Sequence, residues 1–396
     1  FTPGAPVPLH LFVGRQNEVK QIIDTVKESI HYKRAECLFV EGIRGIGKSS
    51  LCTYAMATVE KDTRALVVSA TLGGIHTLQE FVRHVFDAIV QTKGSNKWYE
   101  SIRKIFEKHV ENLDIWGVDV RFRAGERDIE GFIANFPGAL RTFLHSFPEK
   151  ERPDGLVFVL DDINGLASKE EFANWFKSLV DRLATARERE PLPVTFIFVG
   201  LPERRQELIR QQQSLDRVFD IVKVPGLLEE EARTFFSKAF ESVNVQIQDD
   251  ALDSLALYSI LGYPVFIHEI GDAVFKEDVD NIVDLSDVVK GVFRATTIIG
   301  DKYIGPNVLQ VISSERYKII LRKLHLYWDK YKEDFGKIIR VHIKEILDNN
   351  ELTALDNFLR KMTELNVIYR IGGNSSGVYN FDNIFYVLYF QFMMQS

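Results

Sequence analysis

The stretch CLFVEGIRGIGKSSL, running from Cys37 to Leu51, decides the fold. An apolar run ends at Val40, a glycine-rich segment follows, and a helical pattern opens at Lys48-Ser49. Gly42, Gly47, Lys48 and Ser49 satisfy the spacing G-x-x-x-x-G-K-[S/T]. Glycines at 42, 45 and 47 are expected to allow positive φ and to turn backbone N–H groups onto a phosphate. Ile46 and Ser50 complete the set of contacting positions. The helix start adds a favourable dipole. Lys48 is expected to neutralise β/γ-phosphate oxygens, and the Ser49 hydroxyl to ligate Mg²⁺. The competing reading is a glycine-rich turn before an unrelated helix. A strand on one side and a helix on the other argue against it.

Outward from the loop, short continuous apolar runs alternate with helical stretches. The runs are Cys37–Val40, Leu66–Ser69, Leu156–Leu160, Val194–Val199 and Ile221–Val224. Continuous rather than alternating runs fit parallel strands covered on both faces. A helix is predicted around Val19, Ile22, Ile23, Val26 and Ile30, and others over Ser49–Val59 and Leu78–Val90. The class is therefore α/β, a doubly wound parallel sheet. Between the second and third runs lies an insertion, with helices near Tyr99–Val110 and Ile129–Phe147 and a hairpin in Ile115–Arg123.

The third run ends in Asp161-Asp162, at the carboxyl end of a strand, where such sheets bind ligands. Asp161 is expected to hold Mg²⁺ opposite Ser49, and Asp162 to orient an attacking water as general base. The alternative is that the two aspartates cap the next helix. The ligands expected are ATP or ADP with Mg²⁺. Aspartate is shorter than glutamate, so slow turnover is expected of Asp162.

The 396 residues exceed one ordinary domain. A net charge of -7 excludes a globally polyanion-seeking chain, although a local basic face is permitted. Cys37 and Cys52 fall in apolar surroundings and read as reduced thiols. The opening FTPGAPVPLHLFVG lacks the pattern of a signal peptide, and Ile384–Met394 is too short to cross a bilayer. A cytoplasmic protein without membrane contact follows.

After Pro225-Gly226 the pattern turns wholly helical: Glu229–Val243, then Ala251–Leu261, broken at Gly262-Tyr263-Pro264. From about Ser313, three helical stretches lead to Tyr369-Arg370-Ile371, a Gly/Asn/Ser turn and Val378–Phe381, which reads as a winged helix. The division expected is 1–226 for the α/β ATPase domain, 227–300 for a helical lid and 301–396 for the winged helix. Residues 291–396 carry a net +3. Leu352–Leu365 is the expected recognition helix, but Asp356 and Glu364 beside Arg360 and Lys361 disfavour phosphate. Packing or partner contact is at least as good a reading as DNA binding, and the aromatic cluster from Tyr379 to Phe392 reads as core.

With these residues placed, the chain resembles the AAA+/STAND P-loop ATPases, in the branch similar to origin-recognition and archaeal-type ATPases. Phe12-Val13-Gly14-Arg15, the loop, Leu160-Asp161-Asp162 and Gly262-Tyr263-Pro264 carry the resemblance. It implies that Arg15 lies near adenine and ribose and that Pro264 belongs to the lid's nucleotide-facing motif. It also implies that Arg217 is an intersubunit arginine finger, a surface arginine being the alternative. Gly200-Leu201 stands where many relatives keep a polar sensor. Arg204 or Arg205 replaces it, or is a solvated charge at a helix start. His268 either approaches the nucleotide or is a satisfied buried histidine, the better reading. The function implied is an ATP-hydrolysing switch whose nucleotide state controls assembly or an effector partner. The alternative is a DNA-acting ATPase of replication-initiator or transposition-regulator type. The partners are the nucleotide and a homo-oligomer or effector protein, with DNA permitted rather than implied.

Overall fold

A computed structural model of the chain describes residues 1–92, 130, 131, 133–145, 147–186, 189–259, 262–372 and 377–394. They form two compact units, one of Pro6–Pro225 and one of Phe1–Ala5 with Gly226–Ser396. The helix expected at Tyr99–Val110 and the hairpin at Ile115–Arg123 lie outside the described residues.

The first unit holds five strands: β1 (Ala35–Glu41), β2 (Ala65–Thr71), β3 (Gly155–Asp161), β4 (Val194–Gly200) and β5 (Asp220–Lys223). Their order is β2-β3-β4-β1-β5, and every pairing is parallel. Side chains alternate across the strands, so each face has its own composition. One face carries Phe39, Phe158, Phe196 and Phe198, packed with Phe81, Phe136, Phe172 and Phe176 of helices α3 (Leu78–Gln91), α4 (Phe136–His145) and α5 (Glu170–Ala186). The other carries Val40, Val159, Ile197 and Val199, all buried, and the strands there meet α1 (Gln16–Tyr32) and α2 (Lys48–Asp62). Stiff β-branched side chains line this face, while wide rings fill the other. The start of α3 is fixed by a capping box between Thr77 and Glu80. This is the doubly wound parallel sheet expected from the sequence.

In the second unit, α7 (Glu229–Glu241), α8 (Asp249–Tyr258), α9 (Pro264–Glu277) and α10 (Leu285–Ile299) form the helical part. It is not wholly helical, because β6 (Gln246–Ile247) and β7 (Ile282–Val283) pair in parallel. Two residues are too few to print a period-2 pattern. Gly262 ends the break before α9 with φ at 60°, and a Cβ there would meet the Leu227 backbone at 2.0 Å. After α10 the chain continues as a π-helix, Gly300–Leu309, which absorbs Pro306. The wider winding accommodates the missing proline N–H without ending the rod.

The last residues form a three-stranded antiparallel sheet, β8 (Lys337–Ile339), β9 (Ile368–Ile371) and β10 (Val378–Phe381), in the order β8-β10-β9. The pattern had suggested two strands, and the short β8 escaped it. The helix expected over Leu352–Leu365 is present but starts at Leu355, because a separate short turn precedes it. Asp348 and Glu351 cap Asn349–Leu352, and α11 (Leu355–Glu364) begins after Thr353 and Ala354. Phe381, Phe385 and Phe390 are core, as expected, whereas Phe392 is about half exposed at 48%.

Candidate functional site

The site is built where the parallel strands end. β1 runs into the loop, and α2 begins at Lys48 with Gly47 as its N-cap. Gly45 and Gly47 adopt φ of 80° and 89°, the left-handed region that a side chain would strain. Gly42 does not, which corrects the expectation that all three glycines serve positive φ. It is small for a different reason: a Cβ would stand 2.9 Å from the Ile46 Cγ2 and 3.3 Å from the Val224 carbonyl oxygen.

The Lys48 ammonium donates to the carbonyl oxygens of Gly42, at 2.8 Å, and Ile43, at 2.9 Å. Both acceptors are neutral. Burial lowers its pKa, opposed by the Asp161 and Asp162 carboxylates. The Ser49 hydroxyl donates to the Asp161 carboxylate at 2.5 Å. Residues 112 apart thus meet across the ends of β1 and β3. The Ser50 hydroxyl accepts the Val7 N–H at 3.1 Å.

Asp162 sits at φ 62° and ψ 58°, left-handed, ahead of a short 3₁₀ turn. Its side chain makes no capping bond there, so the simple cap reading fails. The Asn164 amide instead donates to one carboxylate oxygen. A Cβ on Gly73 would come within 3.0 Å of the other.

Arg15 is 5% exposed and holds the loop from behind. One guanidinium nitrogen donates to the Ile46 carbonyl at 2.6 Å and to the Pro225 carbonyl at 3.0 Å. The neighbouring Phe12 stacks on Tyr54 of α2, with centroids 4.2 Å apart.

Helix α6 (Pro202–Gln211), after β4, brings two more arginines. Arg204 pairs with Glu207 in its own helix. Arg205 is no solvated charge: its Nε donates to Glu41 at 2.7 Å, with side-chain exposures of 16% and 6%. Glu41 escaped the sequence reading, although a charged residue closing an apolar strand was the available signal. Arg217 is exposed at the end of the 3₁₀ turn Gln213–Arg217, just ahead of β5. Cys37 and Cys52 are buried free thiols, each with its pKa pushed up by burial.

Pro264 opens α9, in the second unit, as the first helical residue after Tyr263. The Tyr263 hydroxyl donates to Asp382 at 3.0 Å. His268 is buried, its Nδ1 accepts the Thr2 N–H at 3.1 Å, and burial lowers its pKa to about 4. It is a satisfied core histidine. Among the described residues, no helix is long and apolar enough to cross a membrane.

Residues 11–197 match the AAA ATPase domain family. No curated protein matches the chain. Among solved structures, the ORC2 protein of Aeropyrum pernix, in ADPNP–ADP complexes, is similar at TM-score 0.58 and 14% identity, with 100% of this chain and 97% of that chain covered. A Walker-type ATPase of Pyrococcus abyssi is similar at TM-score 0.53 and 16% identity, with 96% of each chain covered. At such identities the likeness is one of fold. The stretch that matches the AAA ATPase domain family holds Arg15, the whole loop and both aspartates.

Proposed function

We propose that the chain binds ATP and hydrolyses it slowly, as a switch whose nucleotide state controls assembly or the engagement of a partner. The observation that carries this reading is the Ser49–Asp161 pair beside Lys48, in the stretch that matches the AAA ATPase domain family. Lys48 neutralises the β/γ oxygens, and the N–H groups of Gly45, Ile46 and Gly47 cradle them. A hydroxyl and a carboxylate already in contact are the hard oxygen donors that Mg²⁺ prefers, so Ser49 and Asp161 fit that ion. Bound there, Mg²⁺ would neutralise charge on the phosphates. Asp162 orients the attacking water, and Asn164 fixes its carboxylate. The nucleotide complexes of the similar ORC2 protein support the choice of ligand.

In the same reading residues 227–300 act as a lid, carrying Pro264, and 301–396 as a winged helix used for contact. Arg217, exposed before β5, completes a neighbour's site when copies assemble. The buried free cysteines suit a reducing, cytoplasmic setting. The second reading, a DNA-acting ATPase, rests on the small basic excess of residues 291–396. Arg340 is engaged bidentately by Asp356, and Arg360 faces Glu364, which favours the switch.

The test is Lys48→Ala, assayed by calorimetry with MgATP. The helix should persist while affinity falls at least about thirtyfold, as for loss of a charged partner. Unchanged affinity would remove the nucleotide reading. DNA binding that responds to ATP would favour the second reading over the first.

A further inference from the structure

We propose that Arg205 is a positioning residue for the phosphate loop and that it works by neutralising Glu41. This rests on the reading that the loop receives nucleotide phosphates. Glu41 is the last residue of β1, and Gly42 follows it directly. Its carbonyl accepts the Val224 N–H at 2.9 Å, so its backbone is fixed from the β5 side. Its side chain is 6% exposed. A carboxylate at that depth is costly unless paired. Standing at the root of an anion-binding loop, it would also repel the incoming phosphates.

The Arg205 guanidinium removes both costs at once. Its Nε donates to the Glu41 Oε2 at 2.7 Å, and it is itself only 16% exposed. Its Nη1 lies 3.8 Å from Asp216, whose side chain is 66% exposed and therefore water-screened. The pair thus leaves the loop's root near neutral. It also ties that root to α6, 164 residues away in the chain. This role differs from sensing. A sensor arginine touches the γ-phosphate, whereas here the guanidinium is committed to a carboxylate behind the loop and acts through it.

The experiment uses the full chain, MgADP and MgATP titrations at low and high salt, and thermal midpoints. Four proteins are compared: the parent, R205A, R205K and the double variant E41Q/R205A. R205A should weaken both nucleotides by about tenfold at low salt, through the unmasked Glu41 charge, and less at high salt. R205K should keep most of the affinity. E41Q/R205A should return to within about twofold of the parent, because the repelling charge has gone. If the loss is confined to ATP and survives in the double variant, Arg205 touches the γ-phosphate and the proposal is overturned. If only the thermal midpoint moves while affinities stay level, the pair is merely structural and the proposal is again overturned. A parent that binds no nucleotide overturns the reading of the loop, and this proposal with it. A parent that binds while R205A binds equally overturns this proposal alone.

Discussion

Lys48 of the α/β unit and three cations of the C-terminal unit are held in different ways. In the α/β unit, Lys48, Asp161, Asp162, Glu41 and Arg205 converge on the carboxyl ends of the strands, and Lys48 is held by two neutral carbonyl oxygens. In the C-terminal unit three cations are matched by carboxylates: Lys323 to a nearly buried Glu351 at 2.6 Å, Lys302 to Glu269 at 2.8 Å, and Arg340 to Asp356 at 2.8 Å. A cation matched by a carboxylate has little left to offer an incoming anion. A cation held by carbonyl dipoles keeps its full charge. In the proposed reading, the difference marks where a phosphate can be taken up and which ion pairs stabilise instead.

Substitutions can break or sharpen this contrast. The largest effect is expected at Asp162→Asn, which keeps the shape and removes the proposed base. MgATP should still bind, while single-turnover hydrolysis falls by about 10²-fold. Equal turnover would mean that another group orients the water. Next is Lys323→Ala, which strips the cation from the 3%-exposed Glu351 side chain. Chemical denaturation should register about 2 kcal/mol of lost stability, with nucleotide affinity untouched. A loss of affinity there would blur the contrast.

Arg217→Ala comes third. Nucleotide affinity should hold, while hydrolysis drops about tenfold only at concentrations where copies associate. Mixing that protein with Lys48→Ala should restore part of the rate, since intact loops then meet intact arginines. Hydrolysis independent of concentration in the parent would remove the finger. The smallest effect is expected at Arg340→Ala. Its pair with Asp356 is bidentate, but the side chains are 40% and 71% exposed, so less than about 1 kcal/mol should be lost on denaturation.

The legibility of the two units differs for the same reason. The loop's residues are neighbours in sequence, and continuous apolar runs mark all five strands of the parallel sheet, so its elements could be read directly. Strand order could not, because pairing β1 with both β4 and β5 joins segments far apart in the chain. The Glu41–Arg205 pair and the Arg15–Ile46 bond are non-local in the same sense. Gly42 fits the spacing for a reason that the spacing does not state, since a spacing rule says nothing of what packs beside a Cα. In the C-terminal unit the elements are short. β8 has three residues and β6 two, below the length at which alternation can be seen. Pro306 lies inside the π-helix Gly300–Leu309, whose wider winding tolerates it.

The Arg15 clasp has a consequence for how the sequence can drift. The two carbonyls that its Nη2 reaches, those of Ile46 and Pro225, belong to the main chain, which every residue type carries. The clasp is therefore indifferent to the identity of its two partners, whatever other packing constrains them. For these two bonds the burden of specification falls on position 15. In a substitution scan, position 15 should stand out as intolerant, while position 225 reveals nothing of the bond it completes.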